Sequence, residues 1–198
     1  MKIPRLHLSL GQIAWAINLG EPAPRHLLDR LNYLRQLGIP LNRDQRGAGS
    51  GNRVPYDYDD LIECGVALFA LENGMKPADV SKVLVGERAT SRKTYRKALK
   101  VLPDLAFTAP WVKSRGKAEA VIANEVWLRL HNRYSETPGA MEMLDPLKGD
   151  LPAGASPFDP VERFADGLTF RLVPLTRLAL QWTAWALKAP EIRTGPRT

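Results

Sequence analysis

The chain has 198 residues, 44% of them hydrophobic and 25% charged, which is about one to two domains of ordinary globular composition and argues against wholesale disorder. Lys and Arg number 28 against 21 Asp and Glu, a formal net charge of +7, so an anionic partner is favoured: nucleic acid, an acidic membrane surface or an acidic protein. One cysteine, Cys64, excludes an intramolecular disulfide framework and a Cys-cluster zinc site, and His7, His26 and His131 show no metal-ligand spacing.

The opening MKIPRLHLSLGQ breaks its apolar run with His7, Ser9 and Gln12 and makes a poor signal peptide. The most apolar stretch, 168–189, is interrupted by Arg171, Pro174, Arg177, Gln181 and Lys188, so no membrane span is expected and the cytoplasm is the expected address. Ser9-Leu10-Gly11-Gln12 has the form of a capping box, followed by Leu10, Ile13, Ala14 and Ile17 at helical spacing and a stop at Asn18-Leu19-Gly20. Glu21-Pro22-Ala23-Pro24 is a stiff turn, with Pro24 suited to the first helical position. From Arg25 to Leu37 the pattern predicts a helix with Leu27, Leu28, Leu31 and Leu34 on one side. Arg25, His26, Asp29, Arg30, Tyr33 and Gln36 fall on the other, and Gly38 and Pro40 end it.

Residues 42–55 are polar, basic and glycine-rich, suited to a loop or the tip of a two-stranded hairpin; no Gly-Lys-Ser/Thr follows, so this is not a P-loop. Asp57 can cap a helix from Tyr58 to Asn73, with Asp59 and Asp60 in its first turn and apolar residues nearly all round, a core helix in which Cys64 packs inertly. Pro77 opens a short helix with Val80, Val83 and Leu84 inward. From Thr90 to Leu102, Arg92, Lys93, Arg96, Lys97 and Lys100 fall on one face, a solvated face or a phosphate-contacting stripe.

Residues 117–134 are a further predicted helix, with Ala123, Val126, Trp127, Leu130 and Tyr134 in one stripe. Five prolines in 135–160 mark a linker or long loop. Leu168, Phe170 and Leu172 alternate like a short strand, and a last helix from Leu175 to Leu187 is so apolar that it must be buried against the domain or a second subunit. Trp111, Trp127, Trp182 and Trp185 suit core or interface packing better than an effector pocket. The expected architecture is mainly α. A winged helix-turn-helix unit (1–87) is followed by a basic helix and connector (88–116) and a mostly helical C-terminal region with a short β element (117–198), for dimerisation or partner binding.

Helix, turn, helix, basic loop, helix, short helix is the layout of a winged helix-turn-helix, whose second helix offers side chains to base edges while the loop reaches the backbone or minor groove. Tyr56-Asp57-Tyr58-Asp59-Asp60-Leu61, then Gly74-Met75-Lys76-Pro77-Ala78-Asp79-Val80, resembles the MerR family pattern, in which a tyrosine ends the wing and a glycine precedes the fourth helix. Ser9 to Ala14 resembles that family's first helix and Leu31 to Ile39 the end of its second, with Tyr33 at the place of a DNA-contacting tyrosine. The chain departs from the pattern at Asn32, where the family usually has arginine, and at Arg53, three residues before the tyrosine rather than two.

The resemblance covers residues 9–86 and implies a dimeric, sequence-specific transcriptional regulator on a palindromic operator, binding double-stranded DNA without catalytic activity or a cofactor. The expected DNA-binding residues are Arg25, His26, Arg30, Tyr33, Arg43, Arg46, Asn52, Arg53 and Tyr56, with Arg92, Lys93, Arg96 and Lys97 as further phosphate contacts. Pro103 and Pro110 interrupt the region where the family carries a long dimer helix, so the dimer contact is expected from 117–134 and 175–187. Two other readings stand beside this one: an excisionase-like architectural DNA-binding protein, and a module that binds a partner protein through its C-terminal region. No nucleophile–base spacing points to an enzyme.

Overall fold

The computed structural model describes residues 3–41, 55–100, 126–131, 141–144 and 170–191. Its described part is mainly helical: α1 (Leu10–Ile17), α2 (Arg25–Gln36), α3 (Tyr58–Glu72), α4 (Pro77–Gly86), α5 (Arg88–Lys100), then β1 (Trp127–His131), β2 (Met141–Leu144), β3 (Phe170–Pro174) and α6 (Leu175–Ala186). No described helix is long and apolar enough to cross a membrane.

The helix ends follow from local chemistry. Ser9 and Gln12 form the capping box: the Gln12 amide donates to Ser9 Oγ at 3.2 Å and the Ser9 amide to Gln12 Oε1 at 2.8 Å. Asp57 and Asp60 do the same for α3, with bonds of 3.0 and 2.9 Å. Pro24 caps α2 from outside, so Arg25 rather than Pro24 takes the first helical position.

Helices α1, α2 and α3 end alike. A residue with positive φ turns the chain, its amide and the next one reaching back to carbonyls of the last turn. In α2 and α3 that residue is glycine, Gly38 (φ 93°) and Gly74 (φ 86°). In α1 it is Leu19 (φ 57°), with Gly20 donating to the Trp15 carbonyl. A left-handed leucine costs about 1–2 kcal/mol, and the Asn18 side chain braces the turn by donating to the carbonyls of Glu21 and Pro22.

The core runs from one end of the sequence to the other. Ile13, Leu31, Leu34, Leu61, Ile62, Leu68, Val80, Leu84 and Tyr95 form one cluster with Leu175, Ala179, Leu180 and Trp182. Helix α6 lies across α1, α3 and α5. It approaches α3 at Gly65, where the Trp182 indole rests on the bare backbone, and the α1–α2 turn at Gly20, where Trp185 does the same. Trp185 also meets Trp15 edge-on at 5.5 Å between centroids, and Gln12 donates to the Pro190 carbonyl at 3.0 Å. The apolar side of α6 is therefore covered largely by its own chain, the first of the two burial alternatives read from the sequence. Trp182 and Trp185 are packing residues; Trp111 lies outside the described residues.

Strands form an antiparallel sheet in the order β2-β1-β3, with Leu128 opposite Met143 and Val173. Two sequence expectations are corrected here. Residues 127–131 are strand, not part of a helix over 117–134, and Met141–Leu144 is a strand inside the segment expected to be a linker. Val126 and Leu128 are buried while Arg129 between Leu128 and Leu130 is half-buried, an alternation that a short apolar run cannot distinguish from a helical stripe. The expected strand near Leu168–Leu172 begins at Phe170 and runs straight into α6. There Val126 anchors the helix: its carbonyl accepts from the Leu175 amide at 3.0 Å, and its amide donates to Thr176 Oγ1 at 2.9 Å.

Candidate nucleic-acid interface

Helix α2 is set by its leucines. Leu31 and Leu34 are fully buried and Leu27 and Leu28 pack at the margin, which turns the opposite side outward. Arg25, His26, Asp29, Arg30, Tyr33 and Gln36 are all exposed, the Tyr33 ring by 46%. A helix of this length spans about 18 Å, enough to lie along a DNA groove. Arg25 approaches Asp29 at 3.9 Å and Arg30 approaches Glu72 at 3.7 Å, both with well-exposed side chains. Such long, solvated pairs contribute little, so neither guanidinium is committed to its partner.

The loop expected to complete the surface, with Arg43, Arg46, Asn52 and Arg53, lies outside the described residues. Its roots are described. On one side the chain leaves α2 through Gly38, Ile39 and Pro40 to Leu41. On the other, Tyr56 pairs with Leu8 in an antiparallel bridge, each amide donating to the other's carbonyl at 2.9 Å. Tyr56 is 7% exposed and belongs to the core. Tyr56 is also among the expected DNA contacts, and the structure buries it beside its bridge to Leu8.

The basic stripe of α5 is partly engaged in ion pairs. Three carboxylates of α3, Asp59, Asp60 and Glu63, are 1–4% exposed, and a buried charge requires a partner. Arginines at every fourth residue of α5 supply them. Arg88 donates through Nε and Nη2 to Glu63 at 3.0 and 2.8 Å. Arg92 donates to Asp60 at 2.7 Å and to Glu63 at 3.4 Å, and Arg96 Nε donates to Asp59 at 2.9 Å. Arg92 is thus half-buried against α3 carboxylates, while Arg96 pairs with Asp59 and stays exposed. Lys93 is exposed and Lys97 half-buried on the same helix.

Burial raises the Asp60 carboxyl to about 6, against the opposing pull of its bond from the Asp57 amide and the Arg92 charge. It raises Glu63 in the same direction despite Arg88 and Arg92.

The network also reaches the end of α2. Arg88 Nη2 donates to the Gly38 carbonyl at 2.6 Å, Arg92 Nη2 to the Pro40 carbonyl at 3.1 Å, and Ser81 Oγ of α4 to the Leu37 carbonyl at 2.8 Å. Nothing in the sequence reading assigned a role to Ser81, Arg88 or Glu63. A usable signal existed: carboxylates in a helix apolar all round must be paired, and Arg88, Arg92 and Arg96 carry the complementary spacing.

Among the described residues no group of three or more His, Cys, Asp or Glu side chains could hold a metal ion. Cys64 is buried, and burial pushes its thiol well above its ordinary range. Comparison of the chain with models of protein families, with curated proteins and with solved structures finds no match.

Proposed function

We propose that the protein is a sequence-specific DNA-binding transcriptional regulator of the winged helix-turn-helix type, similar to the MerR family. Helix α2 reads base edges, and the basic loop 42–54 grips the backbone beside it. The observation that carries this reading is the outward face of α2. Arg25, His26, Arg30, Tyr33 and Gln36 stand together on a rigid helix whose other side is locked into the core, the residue types that donate to base edges and phosphates. The chain's net charge of +7 supplies the long-range attraction. A dimer on a palindromic operator is the form the family resemblance implies.

The test is titration of the full chain with duplex DNA at several salt concentrations, followed by selection of bound sequences from a random duplex pool. Binding that weakens steeply with salt, together with enrichment of one motif, supports the reading. No duplex binding at low salt refutes it.

A second reading, an architectural accessory protein of the excisionase type, draws on one observation: the apolar side of α6 is folded onto its own core instead of standing ready for a second subunit. A footprint of several phased sites in place of one palindrome would favour that role.

A further inference from the structure

We propose that Arg88 and Arg92, with Ser81, are positioning residues for DNA recognition: the arginines fix the exit of α2 to the buried carboxylates of α3, and Ser81 fixes it to α4. This rests on the reading of α2 as the DNA-reading helix.

Past its last helical residue, α2 continues into residues 37–41, which belong to no helix or strand. Carbonyl groups there need donors. Three of them are met by side chains from other helices: Leu37 by Ser81, Gly38 by Arg88 and Pro40 by Arg92. Each arginine also donates to a carboxylate that is nearly out of contact with water, Arg88 to Glu63 and Arg92 to Asp60 and Glu63. The guanidinium fork makes this possible, because its donors diverge in a fixed plane and can serve a carbonyl and a carboxylate together. A lysine ammonium at the same place keeps the charge but cannot hold both partners in that geometry.

The clamp therefore links the end of the reading helix to buried carboxylates in the first half of α3. Base-edge recognition tolerates little displacement of the donors, whereas non-specific phosphate attraction tolerates a good deal. Loosening the clamp should accordingly lower discrimination between sequences and spare overall charge attraction. A phosphate-contacting role for Arg92 predicts a different pattern: removing its charge would weaken all sequences alike and flatten the salt dependence by about one unit of slope.

The experiment uses the full chain and the variants Arg88→Lys, Arg92→Lys, Arg92→Gln and Ser81→Ala. Affinity is measured for the duplex selected by the parent protein and for random duplex, over a salt series, and amide hydrogen exchange is followed across residues 34–41 without DNA. The expected result is faster exchange in that segment. Selected-duplex affinity should fall by about tenfold in the arginine variants, on the scale of one lost base contact, with random-duplex affinity and salt slope unchanged. Ser81→Ala, which leaves every ion pair in place, should show the same trend more weakly and keeps the test readable if an arginine variant does not fold.

A shallower salt slope for Arg92→Gln with equal loss on both duplexes overturns the proposal, as does unchanged discrimination in folded variants. If the parent protein binds no duplex, the DNA reading itself fails, and with it the assignment to recognition. The exchange data then still decide whether the clamp holds the α2 exit.

Discussion

Replacing Gly65 with alanine puts the contact between α3 and α6 to a test of sign. A Cβ added at Gly65 would lie 2.8 Å from Trp182 Cε3, and closer still to Cζ3 and Cη2, where carbon atoms normally stand about 3.5–4.0 Å apart. The indole would have to retreat by roughly 1 Å against that contact limit. It has little room, being 1% exposed and packed against the Phe69 ring at 5.9 Å. Overpacking of this kind costs about 1–3 kcal/mol, while alanine gains about 1 kcal/mol over glycine in a helix interior. The contact is severe and fully enclosed, so overpacking wins, by about 1–2 kcal/mol net. The unfolding midpoint should fall by about 2–8 °C.

Gly86 is the control. It ends α4, and an added Cβ there meets nothing within 4 Å, so Gly86→Ala should be neutral or mildly stabilising. Urea unfolding followed by tryptophan fluorescence and far-ultraviolet circular dichroism gives both values. The double variant Gly65→Ala with Trp182→Leu should cost less than the sum of the single changes, because the collision is gone. A Gly65→Ala protein more stable than its parent, with no coupling to Trp182, would show that α6 does not rest on α3 at this point.

Four further outcomes are expected. Glu63→Ala should destabilise by about 1–3 kcal/mol, since it removes the buried acceptor of Arg88 and one of the two carboxylates of Arg92, whereas Arg25→Ala, which removes an exposed 3.9 Å pair, should change unfolding by less than about 1 kcal/mol; equal costs would contradict the burial of the α3 acids. Asp60 has a folded-state value raised to about 6, so its ionisation opposes folding. Its stabilising contribution is complete below the ordinary carboxylate range and is lost as pH rises through 6. Thermal midpoints should therefore rise as pH is lowered from 8 toward 5, and Asp60→Asn should flatten that slope; a slope of opposite sign sinks the assignment. Arg30→Ala and Tyr33→Ala should each erode sequence preference by about 1–3 kcal/mol, while Arg46→Ala should weaken all duplexes alike; competition binding with selected and random DNA separates the two. Cys64 should resist thiol reagents in the native state and react once urea unfolds the chain, because both its burial and its raised ionisation oppose attack.

The helices of the N-terminal half were legible because local chemistry and burial agree there. Ser9 with Gln12, the leucine rows of α2, Asp57 before an apolar run and Pro77 at a helix start each name an end or a face, and the structure follows them. The outward set on α2 was legible for the same reason. Periodicity failed where the elements were short: Val126 to His131 fits a helical stripe and an alternating strand equally well, and only pairing with β2 and β3 decides. The ion pairs of Arg92 and Arg96 were not legible, because a row of cations looks the same whether it faces water or buried acids. Their partners stand about 30 residues away in sequence. The role of Gly65 was invisible without the Trp182 ring that occupies its missing side chain.

The way α6 completes the core has a consequence for biosynthesis. Helices α1 to α5 leave the ribosome while α6 is still unmade, an interval of roughly 5–20 s for about 90 residues at ordinary elongation rates. Throughout it, the backbone at Gly20 and Gly65 and the Phe69 ring lack the indoles that cover them in the finished protein. A nascent chain halted before residue 175 is thus a natural chaperone client, and the N-terminal half can finish folding only after the C-terminal helix has emerged.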